Sequence, residues 1–280
     1  VSVFHRLICP LDQLPLQEQS GAFVCAKGHS FDLAKSGYLN LLPVQKKHSK
    51  DPGDSKEMVR ARQDFLNSDA YLPIALNLIQ QLDRLCFSSN MEKTTSILDA
   101  GCGEGYYLSY LQEHYQEKLV QSIGLDISKW AVQVASKRNK NLGWIVGSNA
   151  NLPMPEARFQ VVLSLFGFPV WSEFHRVLTD DGYVILVNAG ENHLRELREI
   201  LYPELKEYRA SHYDDLVGFE VEKEETLRFS FHLDSNAMIT ALSSMTPHFY
   251  KASYNGKQRL SQMNSLTVTS DVRVTCLRKI

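Results

Sequence analysis

Two groups of residues carry types and spacings that do chemistry. The first is Asp99-Ala-Gly101-Cys-Gly103-Glu104-Gly105 in "ILDAGCGEGYY" (97–107), followed by Asp126 in "IGLDIS". Glycines spaced this way allow a tight turn and let a ligand come close to the backbone. An acid at the end of the next strand, about 20 residues on, is placed to hold ribose hydroxyls. Together they point to a nucleoside-bearing cofactor rather than to a glycine-rich turn alone. The second group is Cys9 and Asp12 in "CPLD" with Cys25 and His29 in "CAKGH". Two thiols, a carboxylate and an imidazole can close a tetrahedron around zinc. A carboxylate oxygen sits at about 2.0–2.2 Å where a thiolate needs about 2.3 Å. Asp12 stands where a knuckle of two cysteines would have its second, and one thiolate fewer weakens the soft character that favours zinc. A working site, a loosely held or empty site, and unrelated cysteines are all open on these residues.

Elements must position both groups. From Thr95 onward strand-like and helix-like segments alternate. "SILDA" (96–100), "SIGLDIS", "GWIVGS", "FQVVLSLF" (159–166) and "GYVILVNA" (182–189) read as strands. "YYLSYLQEHY", "KWAVQVASKR" and "WSEFHRVL" read as helices. "RFSFHLD" and "TSDVRVTCLRKI" alternate apolar with polar, as a paired edge does. The expected fold class is α/β, a doubly wound, mainly parallel sheet with an antiparallel ending. Two amphipathic helices precede it, the second with Pro73 in its first turn and Ser68 or Asp69 as its cap. Residues 1–57 are expected to form a small N-terminal module ending in the polar loop 44–57, and residues 58–280 the larger domain.

The chain has 280 residues, 44% hydrophobic and 22% charged, with formal net charge −2. A core of this size needs no disulfide staples, and the overall charge does not announce a nucleic-acid binder. Five widely spaced cysteines are no disulfide framework and fit a reducing cytoplasm. No secretory leader and no membrane span are read.

The form of the glycine loop, with an Asp two residues before the first glycine, resembles the class I methyltransferase motif. "NANLPMPEARFQVVLS" resembles a later motif of the same group. There Ser148 replaces a frequent adenine-contacting acid, Asn149 can share that role, and Gln160 stands in place of an Asp. The resemblance implies S-adenosylmethionine as cofactor, held by Asp99, Gly101, Gly103, Glu104, Gly105, Asp126, Ser148 and Asn149. A narrower likeness follows from "C-P-L-x-x-x-P-L", "C-x-x-x-H-x-F-D-x-A-K-x-G-Y-x-N-L-L-P-V-Q", "D-P-G-D-S-x-E-M" and "D-x-G-C-G-E-G-Y-Y", in that order. The chain resembles bacterial ribosomal RNA large-subunit methyltransferase A, a family that includes the tylosin-resistance methyltransferase. This likeness implies methyl transfer to N1 of a guanine in a domain II hairpin of 23S rRNA, a zinc-ribbon-like module, a homodimer, and cofactor contacts from Tyr71 and His193. The family places three cysteines and a histidine where Cys9, Asp12, Cys25 and His29 stand. That makes unrelated cysteines the weakest of the three readings.

Guanine N1 carries a proton that must leave before it can attack a methyl group, so a base or an oriented water is required. The loop 44–57 offers His48, Asp51 and Asp54, with Asp54 as the candidate base. "SLFGFPVW" lacks the Asn-Pro-Pro-Tyr of exocyclic-amine methyltransferases, and its Phe166, Phe168 and Trp171 could stack a base or simply pack. Residues 1–63 hold nine Lys/Arg against six acids, which favours phosphate contacts at this end. Phe31 and Tyr38 fit either base stacking or a small core. Two other functions suit parts of the sequence: a small-molecule methyltransferase using the same cofactor, and a non-catalytic RNA-binding protein with a vestigial site. The intact glycine loop and Asp126 speak against the second.

Overall fold

The computed structural model describes residues 3–43, 51–87, 94–208 and 216–280. Its centre is an eight-stranded sheet. The parallel strands β5 (Ile97–Ala100), β6 (Ile123–Asp126), β7 (Gly143–Val146), β8 (Phe159–Leu165) and β9 (Leu178–Ala189) are buried runs. The long β10 (Phe219–Leu233) and β11 (Leu266–Lys279) close one side antiparallel. With β4 (Tyr38–Asn40), the order is β10-β11-β9-β8-β5-β6-β7-β4. The order reverses between β5 and β8, where doubly wound sheets open a crevice at their carboxyl ends.

Local chemistry explains the helices. Ser55 caps α1 (Lys56–Leu66), its hydroxyl accepting from the Met58 N–H, and Pro73 lies in the first turn of α2 (Leu72–Leu82). Tyr71, not Ser68 or Asp69, is the N-cap residue of α2, and it makes no side-chain cap bond. Asp69 instead takes the left-handed conformation that turns the chain between the helices (φ 60°). The crossovers α3 (Tyr106–Tyr115), α4 (Lys129–Arg138) and α5 (Trp171–Val177) join successive parallel strands, and α6 (Arg195–Leu201) follows β9. Between β10 and β11 lie α7 (Asn236–Ser244), α8 (Pro247–Lys251) and α9 (Tyr254–Ser261), which the period-two reading of the ending did not contain.

The N-terminal segment forms a three-stranded antiparallel ribbon, β1 (Gln17–Gln19), β2 (Ala22–Val24) and β3 (Ser30–Asp32). β4 leaves this ribbon and pairs in parallel with β7, Tyr38 opposite Trp144. The large sheet therefore begins inside the segment read as the small module. Tyr38 is buried in the core that α1 and α2 also line rather than offered to a ligand.

One face of the sheet packs on α1, α2, α3 and the β10–β11 helices. The other face packs on α5 and on the ribbon, whose Phe4, Leu7, Leu16 and Phe23 share one core with Leu98, Ile123, Leu125 and Ile145. Residues 147–158, which lead from β7 to β8, contain no helix. The ribbon covers the sheet face beside this helix-free connection, and burying an apolar sheet face is what stabilises such a layer.

Candidate active site and metal centre

The glycine loop sits at the carboxyl end of β5. Gly101, Gly103 and Gly105 all have left-handed φ, of 101°, 54° and 83°. A Cβ on Gly105 would lie 2.6 Å from Trp144 Cη2 and 2.8 Å from Ala135 Cβ, so α3 can begin there only from glycine. A Cβ on Gly101 would meet nothing within 4 Å, so this part of the loop lies open. The Gly103 N–H donates to Asp126 Oδ2 at 2.9 Å and the Ser128 N–H to Oδ1 at 2.8 Å, which fixes the Asp126 carboxylate. Burial raises the Asp126 pKa, and these two N–H groups oppose the rise.

Asp99 is 1% exposed, and its Oδ1 has no partner among the described residues. Burial first, then the neighbouring Asp126, push its carboxyl up to about 7. Asn149 donates to the Ala100 carbonyl at 3.4 Å and leaves its buried Oδ1 unpartnered. Ser148 turns its hydroxyl to the Ala150 N–H. Unpaired buried acceptors beside an open glycine loop fit a polar, cationic ligand, since buried polar groups in folded proteins are normally satisfied. S-adenosylmethionine meets that description.

Glu104 is placed differently from the other loop residues. Its side chain is fully buried and paired with Arg138 of α4, at 2.8 Å to Nε and 2.5 Å to Nη2, and Arg138 also donates to Asn67. Glu104 Oε2 thus ties α3, α4 and the end of α1 together, while its buried Oε1 has no partner among the described residues.

Tyr71 and His193, 122 positions apart, meet at 3.2 Å between Tyr71 Oη and His193 Nε2. Both are buried, and the Phe166 ring lies 6.3 Å from Tyr71 and 5.5 Å from His193. Burial, then Arg198, lower His193 to about 4; burial raises Tyr71 well above the ordinary phenol range. The pair is a neutral imidazole and a neutral phenol at physiological pH.

Asp54 forms an ion pair with Arg62, whose Nη2 also donates to the Met245 carbonyl at 3.2 Å. The Asp54 carbonyl accepts from Ser128 Oγ at 2.7 Å, and Gly53 packs on Ile127 and Ser128. The turn 51–54, part of the segment read as a polar loop, is thus docked beside Asp126. Arg62, which the sequence did not single out, spans this turn, the glycine loop and the end of α7. The Asp54 carboxylate is thus engaged by the Arg62 guanidinium rather than free to meet a substrate proton. His48 lies outside the described residues. Phe168 is 89% exposed and Phe166 40%. Trp171, partly buried, packs on Phe174 and Phe219 against the core. A cavity lined by Gln160, Thr179, Asp181 and Tyr183 opens at the amino-terminal end of the strands, away from the glycine loop.

On the ribbon the structure gathers Cys9, Asp12, Cys25 and His29, with one donor atom of each within 4.8 Å of all the others. Asp12 Oδ2 is 3.1 Å from His29 Nδ1 and 3.3 Å from Cys25 Sγ, and His29 Nδ1 is 3.6 Å from Cys9 Sγ and 3.5 Å from Cys25 Sγ. The Leu14 N–H engages Asp12 Oδ1, leaving Oδ2 as the single ligand oxygen. Burial acts to raise Asp12, but that N–H and the surrounding thiols and imidazole outweigh it and hold the carboxyl down at about 2. Carboxylate for thiolate preserves the site's charge, and the donor set fits zinc.

Comparisons with known proteins match both the ribbon segment and the sheet domain. The "RlmA, N-terminal" zinc-ribbon family matches residues 7–50, and a "Methyltransferase domain" family matches residues 97–182. The provisionally named Bacillus subtilis (strain 168) 23S rRNA (guanine-N(1)-)-methyltransferase YxjB is 32% identical, over 97% of this chain and 96% of its own. The chain belongs to the 23S rRNA (guanine-N1) methyltransferase family. Another such methyltransferase, the 23S rRNA (guanine(748)-N(1))-methyltransferase of Streptomyces fradiae, is 27% identical over 85% of this chain and 83% of its own. Among solved structures, the methyltransferase complexed with the Haloferax volcanii Trm112 activator superposes with a TM-score of 0.50, covering 81% of this chain and 99% of its own at 18% identity. That likeness shows the class I methyltransferase fold. In this chain Asp12 stands with Cys9, Cys25 and His29 in the group that could hold a metal ion. Among the described residues no helix is long and apolar enough to cross a membrane.

Two side chains that tie the site together, Arg62 and Arg138, escaped the sequence reading because neither lies in a motif.

Proposed function

We propose that this chain transfers the methyl group of S-adenosylmethionine to N1 of a guanine in a domain II hairpin of 23S rRNA. The observation that carries the reading is the continuity of the ribbon with the cofactor cleft. β4 extends the cofactor sheet, and the turn 51–54 is bonded to Ser128, two residues past Asp126. A small-molecule enzyme has no need of such an appended, sheet-integrated ribbon. Arg6, Lys27 and Lys35 are exposed on the ribbon and supply phosphate contacts.

The cofactor supplies an electrophilic methyl group on a sulfonium. Asp126 would hold the ribose, Asn149 and the backbone near Ser148 would meet the adenine, and Asp99 would face the cationic part. The open backbone at Gly101 would let the cofactor approach. Tyr71 and His193 close the cleft, and Phe166 and Phe168, beyond β8, offer ring faces to a splayed guanine. The base is not His193, whose ring nitrogens are both bonded. With Asp54 held by Arg62, an oriented water is the better proton acceptor. The enzyme acts in the cytoplasm, as a homodimer.

Mass mapping of 23S rRNA from strains with and without this chain tests the reading. A guanine methyl group in the domain II hairpin that disappears on deletion supports it, and an unchanged hairpin rejects it.

A further inference from the structure

Behind His193 lies a polar group that the methyl-transfer reading leaves without a role. Asp271 on β11 is 2% exposed. It faces Arg228 across the β10–β11 pair, and the guanidinium reaches both carboxylate oxygens, at 3.2 Å from Nε to Oδ1 and 3.3 Å from Nη2 to Oδ2. Asp271 also grips the turn after β9. Its carbonyl accepts from the Gly190 N–H at 2.7 Å, and its Oδ2 accepts from the Asn192 N–H at 2.9 Å. Gly190 is so close that a Cβ there would lie 2.9 Å from Oδ2. His193 ends this turn, and the Asp271 backbone N–H donates to His193 Nδ1 at 3.3 Å.

That last bond decides the tautomer. A backbone N–H can only donate, so Nδ1 is an acceptor and the single proton of a neutral imidazole sits on Nε2. Nε2 faces Tyr71 Oη at 3.2 Å. The imidazole therefore donates to the phenol oxygen, and the Tyr71 hydroxyl proton is directed elsewhere. The described residues offer it no other partner.

We propose that Arg228 and Asp271 are positioning residues that lock His193 in its Nε2–H form and so set the Tyr71 hydroxyl as a hydrogen-bond donor into the cofactor cleft. The group that receives this bond is an acceptor on the cofactor, its carboxylate being the strongest available. The inference rests on the reading that Tyr71 and His193 face the cofactor. Arg198, His248 and Asp271 are the charged or titratable groups acting on His193 besides Tyr71 itself, and burial keeps the imidazole neutral near pH 7.

Two measurements on the full chain test the relay. In ¹⁵N NMR of histidine-labelled protein, with His193→Gln assigning the signal among nine histidines, His193 should show an unprotonated Nδ1 and a protonated Nε2. In calorimetry with S-adenosylhomocysteine, Tyr71→Phe should weaken binding about tenfold, and Asp271→Asn about threefold. In the Tyr71→Phe background Asp271→Asn should add nothing, because its effect passes through the hydroxyl. Additive losses would show a merely structural Asp271 and overturn the relay. So would an Nδ1-protonated His193, or a Tyr71→Phe variant that binds as the wild type does. Failure of the wild-type chain to bind S-adenosylhomocysteine at all would instead remove the cofactor reading beneath it.

Discussion

At the residue scale, two carboxylates differ from their ordinary behaviour in opposite directions. Asp99 is raised to about 7 by burial and by Asp126. The unfolded carboxyl loses its proton near pH 4, so between about pH 4 and 7 the folded state binds more protons and stability falls as pH rises. Asp99→Asn should remove that slope and raise the cofactor-free melting temperature at pH 7.5 by roughly 2–4 °C, while weakening S-adenosylhomocysteine binding. A melting series across that pH range, with calorimetry at its upper end, checks both. Asp12 is the second case. Asp12→Cys should tighten zinc binding, since a third thiolate softens the site; a competition titration with a chromogenic chelator measures it, and indifference would remove Asp12 from the ligand set. The sequence made both acids visible, because Asp99 precedes a glycine loop and Asp12 falls on a metal spacing. It did not show that the Glu104 side chain is committed to Arg138, because both lie at element ends whose packing only the fold decides.

At the scale of elements, the cofactor loop is held by ties between segments far apart in sequence. Arg138→Ala would leave the Glu104 carboxylate buried and unpaired, at a cost of about 3 kcal/mol, read as a lower urea midpoint with unchanged slope. Gly105→Ala would drive a methyl group into Trp144 and Ala135 and strain a left-handed φ, costing about 2–3 kcal/mol. The parallel strands and their crossover helices were legible because their apolar runs and 3.6-residue periods are strong local signals; α4 falls on "KWAVQVASKR" from end to end. The helices α7 to α9 were not, because "SNAMITALSS" and "SYNGKQRLS" are short, and the alternating strands flanking them drew the reading toward a simple hairpin. The relay through Asp271 needed the β10–β11 register, which no local pattern carries.

At the scale of the whole molecule, the ribbon is part of the methyltransferase core. The Ile8 N–H donates to the Pro153 carbonyl at 3.0 Å, and Asn151 donates to the Pro10 carbonyl and accepts from Gln13, both at 3.2 Å. These bonds link the Cys9–Asp12 knuckle to the connection that carries Ser148 and Asn149. Metal removal should therefore loosen more than the ribbon. Chelation should raise hydrogen exchange first in residues 8–32, then in β4 and in residues 148–153, with β5 and β8 unaffected; exchange confined to the ribbon would contradict the shared core. The central claim is the reaction itself. Purified chain, S-adenosylmethionine with a labelled methyl group and unmodified 23S rRNA should yield N1-methylguanosine at one domain II hairpin nucleotide on digestion and mass mapping. Label at another atom or another region of the rRNA, or no label in RNA from a chain that binds the cofactor, would contradict it.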